Sequence, residues 1–295
     1  MVGRPGRPLK RRSVVDPRWA LRARRARTWL AERPHAQALL QFYLSLLELQ
    51  TTLCGALDAD ALLPAVHRAG DEAVPMLRLE RLPLDAVSDG FLEFCRAMPE
   101  LAPSLVMEAA RAASGAAAQV RLDLLRALLT GGDVGPTATA LGCPPAPLVF
   151  LARGYLSPVA EQLAAVGPAL SPEDRQPMCP RCGWPPQVSK LQDEPGAEGN
   201  RRLVCAFCAT DWMFPRSVCV ACGVSGDDGL EFHVDEGLSH VRVESCRSCR
   251  SYLKSVDLRA VGLAEPLVDD LATPELDLWA TDRGFEKTVP NLLGL

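Results

Sequence analysis

The sequence predicts an α plus small-β protein: a helical N-terminal domain, then two four-cysteine metal modules, then a C-terminal helix. Of 11 cysteines, eight fall between positions 179 and 249 as four Cys-x-x-Cys pairs. Before residue 172, apolar residues recur at helical spacing; beyond it, short alternating runs lie between turn formers. Near the end, Thr273-Pro274-Glu275 reads as an N-cap, a first-turn proline and an acidic first turn, ahead of a stripe of Leu276, Trp279 and Ala280. With 295 residues, 48% of them hydrophobic, the chain can bury a core in two or three domains. The 23% charged content excludes a wholly disordered chain, and every long apolar run is broken by charges or turn formers, so no membrane span is expected.

Residues 1–33 form a basic arm, with eleven Lys/Arg against Asp16 and Glu32, a net +9 on a chain whose total is −4. Its first dozen residues, rich in Gly, Pro and Arg, are expected to be disordered, and the pattern turns helical from Trp19 to Glu32. Such an arm can bind a polyanion or lie as a helix on the acidic remainder, and the second role is preferred. No export signal is expected, because Val14-Val15-Asp16-Pro17-Arg18 interrupts the apolar run that the basic start would need.

Residues 34–172 read as the helical domain. Pro34 suits a first helical position, and Ala36, Leu39, Leu40, Tyr43, Leu44 and Leu47 repeat at helical spacing. Phe91, Leu92, Phe94 and Cys95 mark a second helix that stops near Met98-Pro99. Leu101 to Ala113 and Val120 to Leu129 give two more, the latter ended by Gly131-Gly132. Val149 to Leu170 gives the last, kinked or interrupted at Pro158. Cys54, Cys95 and Cys143 fall in this region and read as small buried hydrophobes. His35 and His67 read as surface or capping residues.

Ser171-Pro172-Glu173-Asp174 marks the boundary to the first module, 173–214, which is followed by the second at 215–260. Two cysteines spaced by two residues form a knuckle with both sulfurs facing one point, and two knuckles supply a tetrahedral site. Without a secretory signal, clustered pairs of this kind read as metal ligands rather than disulfides. Gly follows the first and third pairs, as Gly183 and Gly223. Cys182 and Cys205 are separated by 22 residues, and Cys222 and Cys246 by 23, so the units repeat. The simplest pairing is sequential: Cys179, Cys182, Cys205 and Cys208 in one site, Cys219, Cys222, Cys246 and Cys249 in the other. Such sites are most often zinc staples; iron in the same four-sulfur shell is redox-active, and spacing does not separate the two metals. Leu230–Val234 and His240–Glu244 alternate as an antiparallel strand pair, with Asp193–Asn200 expected as a flexible loop. His233 and His240 read as exposed strand residues. Trp212 and Tyr252 follow the two units and are candidate contacts near the sites, core packing being the preferred role. Residues 261–295 are expected to carry the C-terminal helix, packed on the body.

A conventional active site is not expected. The sequence has no GxSxG elbow, phosphate loop, dinucleotide fingerprint or HExxH, and a filled tetrathiolate leaves no open coordination position. A zinc-ribbon module that binds nucleic acid, or serves as a structural adaptor, is the alternative. Residues 175–255, however, carry ten Lys/Arg and ten Asp/Glu, a neutral balance that argues against nucleic acid.

The series Cys179-Pro-Arg-Cys-Gly183, Arg202-Leu-Val-Cys-Ala-Phe-Cys-Ala-Thr-Asp-Trp212, Arg216-Ser-Val-Cys-Val-Ala-Cys-Gly223, Glu244-Ser-Cys-Arg-Ser-Cys-Arg-Ser-Tyr-Leu-Lys254 and Asp269-Asp-Leu-Ala-Thr-Pro-Glu-Leu-Asp277 resembles the formate dehydrogenase accessory protein family, FdhE. The likeness spans about residues 175–291. It implies a cytoplasmic assembly factor, not a subunit of the finished enzyme. Such a factor binds the formate dehydrogenase catalytic subunit before export and carries rubredoxin-like iron, two ions here, on the eight paired cysteines. The long basic start departs from the family pattern.

Overall fold

The computed structural model describes all residues except 1–16, 56, 68–74, 168, 172–174, 227–228 and 295. The disorder expected of the first dozen residues, and the boundary at 172–174, lie outside the described residues.

Among the described residues, eight α-helices make up the N-terminal half: α1 Pro17–Glu32, α2 Gln37–Cys54, α3 Ala59–Val66, α4 Asp85–Arg96, α5 Ser104–Gly115, α6 Ala118–Thr130, α7 Gly135–Leu141 and α8 Pro145–Val166. The central one is α8, against which α2 to α7 pack. Every residue from Leu151 to Glu161 is buried, as in a helix apolar on all sides. Pro158 lies inside α8 without ending it. Proline has no N–H for the carbonyl four residues back, and the Gln50 side-chain amide of α2 donates to that Gly154 carbonyl at 2.6 Å instead. Gly131 ends α6 in the left-handed region, as the Gly131-Gly132 pair suggests. The expected start at Leu101 moves to Ser104 because Pro103, in an extended conformation, caps α5. The short helices α3 and α7 were not apparent in the sequence; each contains a proline, Pro64 and Pro136.

The second half is one sheet. Strands β1 Pro186–Glu194, β2 Ala197–Cys205, β3 Asp211–Met213, β4 Leu230–Val234, β5 Val241–Cys246, β6 Ser251–Asp257 and β7 Glu286–Lys287 run in the order β3-β2-β1-β6-β5-β4, with β7 beside β6. The two cysteine units therefore share a sheet, joined by parallel pairing of β1 with β6, from Val188 opposite Lys254 to Leu191 opposite Asp257. The expected β4–β5 pair is present, Leu230 facing Cys246 and Val234 facing Arg242.

Asp193–Asn200 is not a loop but the end of the β1–β2 hairpin. Gln192 faces Asn200 and Glu194 faces Ala197, while Gly196 turns the chain at φ 83°. The polar run misleads because hairpin ends reach solvent.

Two short helices, α9 Pro266–Leu271 and α10 Pro274–Asp282, pack on the sheet where one was expected. Thr273 stands at the N-cap of α10 but makes no side-chain cap bond. Its buried hydroxyl donates to the Asp269 carbonyl and accepts from Lys254. Lys254, fully buried, also pairs with Asp270 and Asp277, which Lys287 shares.

The basic helix α1 spans the two halves. Arg22 pairs with Glu161 of α8 and with Glu265, Arg25 with Asp269 of α9, and Arg33 with Glu275 of α10. His240, expected to be exposed on a strand, precedes β5 instead and is half-buried. It hydrogen-bonds Asp269 and Arg25 and stacks on Trp29. A single apolar core runs through both halves. No helix among the described residues is long and apolar enough to cross a membrane.

Candidate metal centres

Each Cys-x-x-Cys pair sits at the mouth of a tight backbone turn. In the first, the Gly183 amide donates to the Cys179 carbonyl at 2.8 Å and the Cys179 amide to the Trp184 carbonyl at 2.8 Å. The third repeats this with Gly223, Cys219 and Val224 at 2.9 and 2.8 Å. Gly183 and Gly223 are left-handed, at φ 80° and 76°. The second and fourth turns need the same conformation without glycine: Ala209 is at φ 52° and Arg250 at φ 61°. All four knuckles thus share one backbone shape, which directs amides at sulfur; Phe207 and Cys208 both donate to Cys205 Sγ, at 3.3 and 3.5 Å.

The fold brings the eight cysteines together in two groups, Cys179, Cys182, Cys205, Cys208 and Cys219, Cys222, Cys246, Cys249. Within each, all sulfurs lie within 4.8 Å of one another. A metal bonded to four sulfurs at about 2.3 Å sets a tetrahedral sulfur–sulfur edge of about 3.8 Å. The edges Cys179–Cys208 at 3.7 Å, Cys219–Cys249 at 3.7 Å and Cys222–Cys246 at 3.8 Å match this, and Cys182–Cys205 is tighter at 3.4 Å. Both groups can bind a metal ion.

Their surroundings differ. The first cluster is buried at all four cysteines, whereas in the second Cys222 and Cys249 are exposed. Trp184 stacks on Phe207 beside the first cluster at 4.2 Å, and Trp212 is a core residue whose indole N–H donates to the Gln176 carbonyl at 2.8 Å. Tyr252 is likewise buried, bonded to Asp277.

Two buried arginines flank the first cluster. Arg181 lies within its first knuckle. Burial lowers its pKa, and the thiolates of Cys208, Cys179 and Cys182 oppose that shift. Burial brings Arg153 down to about 10 against the pull of Cys205 and Asp270. A divalent metal with four thiolates carries a net −2, and a buried charge of that size requires such positive neighbours. One thiol per cluster is drawn down. At Cys208, burial is outweighed by hydrogen bonds from Cys179, Cys182, Cys205 and Thr210; at Cys249, brought to about 7, it is outweighed by Ser251, Cys222 and Cys246. The arginines were not singled out in the sequence, where only the position of Arg181 between two cysteines could have marked one.

The remaining cysteines stand apart. Cys54 and Cys95 are buried and Cys143 only half-buried. Burial pushes the Cys54 thiol up and the Cys95 thiol to about 12.

Fold and clusters define a class: a helical domain joined to a sheet that carries two four-cysteine centres. The family model described as the FdhE central domain matches residues 178–216, and the FdhE C-terminal domain matches 218–293. Over these residues the chain matches the two domains of the FdhE family. A protein FdhE homolog of Aquifex aeolicus is 43% identical over 116 residues, 39% of this chain and 41% of that one. Another, of Pseudomonas putida, is 35% identical over 158 residues, 52% and 49% of the two chains. The matched stretch thus spans less than half the length of these relatives. The crystal structure of the FdhE protein from Pseudomonas aeruginosa has the same fold, with a TM-score of 0.69 and 24% identity over 97% of each chain.

Proposed function

We propose that this chain is a cytoplasmic accessory protein in the assembly of formate dehydrogenase, that it binds the catalytic subunit of that enzyme, and that its eight paired cysteines ligate two metal ions. The observation that carries the reading is the pair of tetrahedral sulfur clusters inside the two FdhE domains. Four thiolates complete the shell, so the chain acts by holding and presenting surface rather than by turning over a substrate. The proposed metal is rubredoxin-like iron, which supplies one-electron chemistry in a four-sulfur shell, with zinc as the alternative. The amides at Cys205 Sγ, together with Arg153 and Arg181, would set the potential of such an ion.

The nucleic-acid alternative is disfavoured by α1, whose Arg22, Arg25 and Arg33 are engaged by the protein's own carboxylates. An anaerobic pull-down with the formate dehydrogenase catalytic subunit tests the proposal. Recovery of the subunit supports it and recovery of nothing contradicts it. An absorption spectrum of anaerobically purified protein separates the metals, since iron in four sulfurs is coloured and zinc is not.

A further inference from the structure

The two clusters share a sequence pattern and a geometry but not an environment. The helical half buttresses both knuckles of the first. The amides of Met76 and Leu77 donate to the carbonyls of Pro180 and Arg181, inside the first knuckle, at 3.0 and 2.8 Å. Arg153 donates to the carbonyl of Ala206, inside the second, at 3.0 Å. Its four cysteines are at most 8% exposed. In the second cluster the first cysteine of each knuckle is buried, Cys219 at 3% and Cys246 at 1%. The other cysteine of each knuckle, Cys222 and Cys249, is exposed. The open side of this tetrahedron is therefore the edge between Cys222 and Cys249.

A metal held by thiolates changes host by ligand exchange, in which an incoming sulfur must reach the ion before an old one leaves. Such an approach requires an exposed edge. We infer that the second cluster is an exchange centre, at which a thiol from outside the chain, either a small thiol or a cysteine of a partner protein, displaces Cys222 or Cys249 and takes hold of the metal, while the first cluster keeps its ion for as long as the fold persists. This rests on the reading of both clusters as metal sites. The step is balanced without an oxidant: the metal–sulfur bond to Cys222 or Cys249 breaks, a bond to the incoming sulfur forms, and the proton of the incoming thiol passes to the released cysteine. The first cluster does not admit the step, because a ligand would have to pass between the helical half and the sheet.

The full chain, reduced and reconstituted with zinc, is treated with iodoacetamide in the presence of a chromogenic zinc chelator. Peptide mass spectrometry then follows each cysteine over time. Cys222 and Cys249 should take the label faster than Cys179, Cys182, Cys205 and Cys208 by about tenfold or more. One zinc per chain should be released in step, with the far-ultraviolet circular dichroism unchanged. Equal labelling of the two clusters, earlier labelling of the first, release of both ions together, or no labelling at all each overturns the inference. A chain that holds fewer than two zinc ions before treatment overturns the metal reading itself, so the two failures are distinguishable.

Discussion

Arg153, midway along α8, donates to the carbonyl of Ala206, the residue after Cys205 in the second knuckle of the buried cluster. The same guanidinium reaches Gln187 of β1 and the carbonyls of Pro290 and Asn291. It thereby ties the central helix, the sheet, the C-terminal segment and a metal knuckle at one buried point. Outer-shell partners of metal ligands typically contribute 10–100-fold to metal affinity, roughly. Arg153→Met should therefore weaken metal binding at the first cluster by about that factor and leave the second unchanged, as read by chelator competition on protein with two metals bound.

Gln50 and Pro158 form a second testable pair. Gln50 satisfies the Gly154 carbonyl that Pro158 leaves without its helical donor. Gln50→Leu leaves that oxygen buried and unpaired, at a cost of about 1–3 kcal/mol. In a Pro158→Ala background the backbone N–H returns, and the same Gln50→Leu change should cost less. Urea denaturation of the four proteins in the cycle checks this; equal costs in both backgrounds would show that the two residues do not act on the same oxygen.

The knuckle backbones carry a third. Ala209 holds φ 52°, a conformation glycine adopts without penalty, so Ala209→Gly should stabilise the protein by about 1 kcal/mol. Gly183→Ala should do the opposite by about 1–2 kcal/mol, because Gly183 holds φ 80° and a Cβ there would lie 3.3 Å from Pro75 Cγ. Thermal melts of the metal-bound proteins report both signs.

Acid sensitivity follows from the buried ion pairs. Burial pushes the Asp269 carboxyl up, but His240 and Arg25 outweigh it and its pKa falls below the usual value. A depressed carboxylate contributes stability that is fully present above its unfolded pKa, about 3.9, and is lost as pH falls through the lower folded value. Asp269→Asn should therefore narrow its stability deficit against the parent chain as pH falls below about 4. Urea midpoints measured across that range test it; a deficit that does not change with pH would contradict the assignment.

What the sequence discloses is what short-range spacing encodes. The knuckles were legible because each is built within five residues, and Cys182 to Cys205 and Cys222 to Cys246 differ by one intervening residue. The β4–β5 pair was legible because it alternates. The fusion of the two units into one sheet was not, because it depends on Val188 to Leu191 finding Lys254 to Asp257, more than sixty residues away. Strand β1 also escaped notice: its buried Gln187 and Ser189 give no apolar alternation, and both are satisfied by distant groups, Asp270 and Glu244. Thr273 shows a related limit. Its position suits an N-cap, but the buried ammonium of Lys254 claims its hydroxyl. The exposure of Cys222 and Cys249, against the burial of Cys182 and Cys208, has no counterpart in the motif, since it depends on where the helical half comes to rest.

Cobalt titration of the reduced, metal-free full chain tests the central claim most directly. Two tetrahedral four-thiolate sites should give thiolate-to-cobalt charge-transfer bands and intense visible d–d bands that rise together and level off at two cobalt ions per chain. Saturation at one ion, or weak visible bands typical of octahedral cobalt, would contradict the assignment of Cys179, Cys182, Cys205, Cys208 and Cys219, Cys222, Cys246, Cys249 to two closed metal centres.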